Sequence, residues 1–253
     1  MMNDLQKADM WKRISAWLFD VILLGILIVG AASLLSGALK FDSYNQTVDD
    51  SYAKYESQYD IVFNITEEEY NAMTAEEAAR YAAAYEALVA DDEAMYAYNM
   101  LVNLTLLITT VSVLIGYAVL EFAVPLMLGN GQTLGKKIFG IGVMRTDSVR
   151  LTTIQLFIRT FLGKYTIETM IPALIIIMLM FNAIGILGTV ILGLILLLQV
   201  ILLIATKTNS AIHDLLAGTV AVDISSQMIF PDTDALIEHK KKVAAEEAAR
   251  KEY

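Results

Sequence analysis

The 253-residue chain has no cysteine, three prolines, two histidines and two tryptophans, and only 18% of it is Asp, Glu, Lys or Arg. Without cysteine there is no disulfide framework, no thiolate-held zinc or iron–sulfur centre and no cysteine nucleophile. With two histidines a multi-histidine metal site is not expected, so neither a metal nor another cofactor is. A soluble domain carries about a quarter charged residues. The shortfall, with a mean hydropathy of +0.56, points to a membrane protein in contact with the lipid bilayer. The net charge of −10 argues against nucleic acid, because phosphate binding needs a basic face.

That charge is local. Residues 40–98 hold three basic residues (Lys40, Lys54, Arg80) and fourteen acidic ones, a balance of −11 that accounts for the whole excess. The same stretch holds nine of the twelve tyrosines and neither glycine nor proline.

Apolar runs are what the chain has most of. A bilayer core about 30 Å thick takes roughly 20 apolar residues in a helix. Val21 to Leu39 and Met100 to Leu120 run for nineteen and twenty-one residues without a charge, and Thr169 to Thr206 for thirty-eight. The last is too long for one ordinary span. Asn182, Gly185 and Gly188 near its middle suggest a tight hairpin of two spans, about 169–183 and 186–206. A single long tilted helix is the competing reading. Lys and Arg cluster before the first span (Lys7, Lys12, Arg13), in the 125–168 segment (Lys136, Lys137, Arg145, Arg150, Arg159, Lys164) and in the tail (Lys207, Lys240, Lys241, Lys242, Arg250, Lys251). Four spans put all three groups on one side, so both termini are expected in the cytoplasm and residues 40–98 outside. The first span resembles a signal peptide in outline, but Asp20 at the head of its apolar run argues against cleavage.

The expected architecture is an all-α polytopic membrane protein. It divides into the N-terminus and first span (1–39), an acidic external helical insertion (40–98), the second span (99–124), a cytoplasmic loop with an amphipathic helix (125–166), the third and fourth spans (167–206), and a charged cytoplasmic tail (207–253). In the insertion, Thr66 with Glu69 and Thr74 with Glu77 fit capping boxes. Tyr81, Tyr85, Leu88 and Met95 share a helical face. The expectation is a helix from about residue 67 or 75 running unbroken into the second span, with Tyr52, Tyr55 and Tyr59 on a helix packed against it. Core packing explains the tyrosines; a surface for an external protein partner is the alternative. The runs Glu67–Glu69 and Asp91–Glu93 lack the spacing and turn glycine of a calcium loop. Thr152 to Tyr165 is amphipathic and reads as an interfacial helix. IGVMR (141–145) and TVAVDI (219–224) are β-like and could pair. Gly131 to Lys136 resembles a phosphate loop, but the glycine spacing is one short and Lys137 stands where Ser or Thr is required.

Ionisable groups in spans are costly unless paired, which makes each a candidate. Asp20 lies one turn into the first span, on one face with Arg13. Glu121 ends the second, just before Pro125, and Glu168 opens the third, where an interfacial helix start suits it. His213 and Asp214 follow the last span and can return to the same polar cluster. A packing network and a cation- or proton-binding transport site both fit these residues. Asn103, Thr105, Thr109, Thr110 and Ser112 suit hydrogen bonding between helices.

Four blocks in order resemble the RDD family of membrane proteins, named for one arginine and two aspartates. They are KRISAWLFDVILL (12–24), VLEFAVPLMLGNGQTLGKKIFGIGV (119–143), IRTFLGKY (158–165) and SAIHDLLAGTVAV (210–222). The resemblance covers 11–39 and 99–223, and the acidic insertion and the tail fall outside it. It places Arg13, Asp20 and Asp214 at the named positions, Arg159 in the arginine-bearing segment, and Gly131, Thr133, Gly135 and Lys136 in the loop motif. It implies a multi-pass protein of the bacterial cytoplasmic membrane. For some members it implies sodium–proton exchange, with a monovalent cation or proton as ligand. So few spans imply a homo-oligomer if a path is enclosed. The expected charge network is Arg13, Asp20, Glu121, Arg159, His213 and Asp214. An enzyme is not expected, since no nucleophile–base pair or metal set is visible.

Overall fold

A computed structural model of the chain describes residues 5–180, 184–206 and 208–251. Four of its helices are long and apolar enough to cross a membrane, at Met10–Ala38, Asp92–Leu128, Thr153–Leu179 and Gly185–Ala205. Their burial is inverted relative to a protein dissolved in water. Helix α1 (Met10–Ala38) buries only Ala16 and Asp20. It exposes Trp11, Trp17, Ile26 and Leu34, each above 60%. Its small and acidic residues turn inward and its large apolar ones outward, which is favourable only where the surroundings are hydrocarbon. The chain is an integral membrane protein.

The molecule divides into two compact units, one of residues 29–112 and one of residues 1–28 with 113–253. The first contains the acidic segment. There α2 (Phe41–Tyr59) packs against α4 (Ala75–Val89), with the short α3 (Glu67–Asn71) before it. Both capping boxes form: Thr66 and Thr74 accept from the backbone N–H of Glu69 and Glu77, whose carboxylates bond back. Tyr55, Leu88 and Ala94 form the core, with Tyr59, Phe63 and Ala87 against it. Tyr81 stacks edge-on with Phe63 and Tyr70. Tyr85 does not join this face; it is exposed, and Ala84 takes the buried position.

The helix expected to run unbroken into the second span is interrupted. α4 ends at Val89, and α5 (Asp92–Leu128) begins beyond Asp91. Asp91 accepts from the N–H groups of Glu93 and Ala94 through Oδ1 and from Lys54 Nζ (3.0 Å) and Tyr55 Oη (2.8 Å) through Oδ2. These donors hold its carboxyl far below the usual range. A side chain that caps the next helix and ties it to α2 outweighs the continuity that a stretch without glycine or proline suggests. Lys40 and Asp60 likewise end helices at positive φ without glycine.

In the other unit α5 passes through a π-helical turn at Ala118–Ala123. Pro125 has no N–H for the Glu121 carbonyl four residues back. The Thr160 hydroxyl donates to that carbonyl instead, at 2.8 Å. The loop after α5 holds α6 (Leu134–Ile138) and β1 (Ile141–Arg145). β1 pairs antiparallel with β2 (Thr219–Asp223), Ile141 opposite Asp223 and Arg145 opposite Thr219. The fold is mostly helical but not all-α: this two-stranded sheet is extended by the N-terminal segment, where Lys7 bridges Val222.

The amphipathic stretch is not a separate interfacial helix followed by a span from 169. Residues Thr153–Phe157, Ile158–Met170 and Ile171–Met180 follow one another as a single helix, α7, whose middle piece is π-helical. It is capped by Thr152 with Gln155. The wide register turns Arg159, Thr160, Gly163 and Met170 inward, so Arg159 is buried where an interfacial helix would leave it beside water. α8 (Gly185–Ala205) packs on its C-terminal piece, as two helices and not one. Asn182 lies outside the described residues. α9 (Ile212–Ala217) packs on the π-helical part of α7, and α10 (Thr233–Lys251) carries the charged tail. Leu236 of α10 is buried against Val149 and Phe230.

Replacing Asp91 by Ala removes the cap and both side-chain anchors together. Amide exchange over residues 88–94 should then accelerate several-fold, while the capped start of α4 keeps its protection. Unchanged exchange at 88–94 would show that the break does not depend on this carboxylate.

Candidate functional site

Asp20 is the acidic residue least suited to its helix. Its two oxygens are both bonded to the loop after α5: Thr133 Oγ1 donates to Oδ2 at 2.5 Å, and the Gly135 N–H donates to Oδ1 at 2.7 Å. Lys136 Nζ lies 3.1 Å from Thr133 Oγ1 and 3.8 Å from Asp20 Oδ2. Gly135 must be glycine for this contact. A Cβ there would sit 2.3 Å from the Ala16 carbonyl oxygen and 2.9 Å from the Asp20 carboxyl. Gly131 has φ +59, and a Cβ on it would meet Val143 at 2.9 Å. The GQTLGK loop is thus a clamp on an aspartate of a membrane helix, not a phosphate cradle.

Three further pairs surround it. Glu121 Oε1 meets Lys164 Nζ at 2.6 Å. Arg159 Nη1 pairs with Asp214 Oδ1, and the Thr219 hydroxyl accepts from Arg159 (2.7 Å) and donates to Asp214 (3.0 Å). His213 Nδ1 and its backbone N–H both donate to Glu168, at 2.8–2.9 Å. Gln199 of α8 also bonds Glu168. His213 Nε2 lies 3.6 Å from Asp214 Oδ2. Gly163 allows this meeting of α9 with α7, since a Cβ there would lie 2.4 Å from the His213 Cβ. Arg159 and Asp214 are almost fully enclosed, so each stays charged only with the other beside it.

These groups wall a cavity of about 430 Å³. Arg13, Asp20, Glu121, Lys136, Arg159, His213 and Asp214 all border it, so every residue expected in the charge network is there. Arg13 and Asp20 do not pair; Arg13 Nη2 donates to the Asn209 carbonyl at 2.9 Å. Apolar side chains of α1, among them Ile14, Trp17 and Leu24, line the other wall.

Sequence reasoning misplaced Glu168 and missed the role of Lys164. Glu168 is not at an interfacial helix start but within α7, bonded by the His213 ring and backbone N–H. Lys164, counted in the sequence only among the basic residues of 125–168, is the partner of Glu121. The spacing 159, 164, 168 carries the missed signal, because it steps by five and then four, the repeat of a helix bonded i to i+5.

Burial and the nearby Arg159 charge push the His213 imidazole down to about 3. Burial, with the like charge of Lys164, brings the Lys136 ammonium down to about 8. His213 is therefore uncharged at neutral pH, and Lys136 holds its proton less firmly than a solvated lysine.

Against known proteins, the model of the RDD family matches residues 7–218. No match was found among curated proteins, and none among solved structures.

Gly135→Ala should destabilise the folded protein by about 1–3 kcal/mol, the usual cost of overpacking, because the atom it meets is backbone. Thermal unfolding in detergent measures it, and an unchanged midpoint would disprove the close approach. A second outcome concerns pH. His213 binds its proton near 6.5 when unfolded and near 3 when folded, so the unfolded state takes up more protons between those values. Stability should fall as pH drops from about 6.5 toward 3. His213→Asn, which keeps a donor near Glu168, should flatten that part of the curve.

Proposed function

We propose, from the premise that the chain belongs to the RDD family, that it is a small-solute carrier of the cell membrane linked to a proton or a monovalent cation. The observation that carries the reading is the cavity itself. Four carboxylates and four cationic side chains border one space of about 430 Å³ inside a body whose helices expose apolar residues. Such groups are expensive to keep in a membrane protein, and they are characteristic of ion and substrate pathways.

The roles divide by how firmly each carboxylate is held. Asp20, bonded by a hydroxyl and a backbone N–H, positions the 131–136 loop. Glu121, whose carboxylate has Lys164 as its one side-chain partner among the described residues, is the carboxylate that exchanges a lysine for a cation or proton. The Arg159–Asp214–Thr219 group fixes α9 and β2 to α7. The Lys and Arg distribution favours both termini in the cytoplasm, with residues 40–98 outside. Four spans enclose little by themselves, so the working unit is a homo-oligomer. The reading is non-enzymatic, since the charged groups of the cavity engage one another and not a nucleophile.

A second reading has its own observation. Residues 29–112 form a compact unit, with a core of Tyr55, Leu88 and Ala94 and with most of the protein's excess negative charge. As an accessory subunit, the protein would present this unit to a partner outside the cell.

Purified protein in liposomes with an internal pH dye, under imposed sodium, lithium or potassium gradients, tests the first reading. Cation-dependent proton movement is expected. Glu121→Gln should reduce it at least tenfold. Like Asp20→Asn it should also lower stability, because Lys164 is left buried without its countercharge, so flux is compared at a temperature where both variants are folded. Wild type no faster than empty liposomes overturns carriage linked to these ions. If deletion of residues 42–96 spares flux and abolishes a co-purifying partner, the two roles are separate.

A further inference from the structure

Pairing the charges that border the cavity leaves a remainder. Glu121 has Lys164, Asp214 has Arg159, and Asp20 has Lys136 near it. Two groups remain without a formal countercharge. Glu168 is bonded by His213 and Gln199, both uncharged donors at neutral pH. Arg13 donates to the Asn209 carbonyl, and among the described residues no carboxylate lies within ion-pair distance of it. Arg13 is also near enough to Arg159 for the two guanidiniums to repel. A half-buried guanidinium beside another cation, bonded to one carbonyl, keeps most of its five donors for something else.

We infer that the cavity binds a small zwitterion, with its anionic group on Arg13 and its cationic group toward Glu168. The inference rests on the carrier reading and names the class of solute carried. One uncompensated cation and one uncompensated anion on the wall of one cavity match a ligand bearing both signs. A free anion would leave Glu168 unmatched, and a free cation would leave Arg13 so. A carboxylate can take two parallel N–H bonds from a guanidinium, which fixes orientation as well as charge. The apolar wall from Ile14, Trp17 and Leu24 suits a short aliphatic body between the two ends. The volume admits a molecule of amino-acid or betaine size.

The experiment is equilibrium binding to the full-length protein in detergent, read by intrinsic fluorescence and by thermal shift. Trp17 borders the cavity, and Trp11 is the other tryptophan in the chain. The probes are leucine and glycine betaine as zwitterions, isobutyrate as the anion alone, isobutylamine as the cation alone, and sodium chloride. Saturable binding is expected for at least one zwitterion, at least tenfold tighter than for isobutyrate or isobutylamine. Arg13→Gln should weaken zwitterion and isobutyrate tenfold or more and leave isobutylamine unchanged. Glu168→Gln, which keeps a hydrogen-bond acceptor for His213, should do the reverse with the two half-ligands. Binding of neither zwitterion, or equal loss of all probes in both variants, overturns the inference. If Arg13→Gln fails to fold, Arg13→Lys, which keeps the charge and loses the two-pronged geometry, gives the same comparison. Proton flux without zwitterion binding would remove this inference and leave the carrier reading standing. Zwitterion binding with no flux of any kind would do the opposite.

Discussion

A carboxylate in a membrane helix must find its donors in the protein, because the bilayer offers none. Asp20 sets that condition on this chain. Its two oxygens require a hydroxyl and a backbone N–H, and both come from a loop more than a hundred residues away. The loop can reach only because Gly135 has no side chain to strike the Ala16 carbonyl. Once the loop is there, β1 follows it directly, and β1 recruits β2 from beyond the last span. β2 brings Asp214 and Thr219 with it, and Arg159 needs both. One buried acid in the first span thus organises contacts among segments far apart in sequence.

The same logic explains the irregular helices. A regular α-helix cannot present residues 159, 164 and 168 to one side. The π register does, at the cost of poorer backbone geometry. In α5 the irregularity has a visible origin, since Pro125 leaves the Glu121 carbonyl without its usual donor. Thr160 supplies the replacement from the π-helical part of α7. The two distorted segments therefore face each other and share a hydrogen bond. π-bulges concentrate at functional sites, and here both lie at the charged cavity.

How far the sequence could be read follows from what each signal depends on. Long apolar runs depend on the bilayer alone, and they disclosed four spans. The capping boxes at Thr66 and Thr74 are local, and both form. The β-like ends of 141–145 and 219–224 were legible because each is a short apolar run rich in branched residues, and both strands bury four successive residues. The junction at Asp91 was not, because its break is enforced by Lys54 and Tyr55, more than thirty residues away. Lys164 and Glu168 were missed for another reason. At 3.6 residues per turn Arg159 points well away from both, and the π register of α7 brings the three together.

The cavity shows why charge neutrality and charge satisfaction are different properties. The ionisable groups that border it balance in number, with His213 neutral. A neutral total would ordinarily suggest a closed packing network, as in a buried Arg–Asp pair that serves only to lock helices. Balance of sign does not place each charge beside its opposite. Asp214 and Arg159 lie in contact and have little left to offer a ligand. Arg13 and Glu168 belong to different elements and are each met by neutral partners, a carbonyl on one side and an imidazole with an amide on the other. Desolvating a charge is costly, and neutral hydrogen bonds recover only part of that cost. A structure that tolerates two such groups on one cavity wall retains them at the expense of stability. That tolerance favours a binding role over a packing role for the pair, while the Arg159–Asp214 contact keeps the reverse assignment.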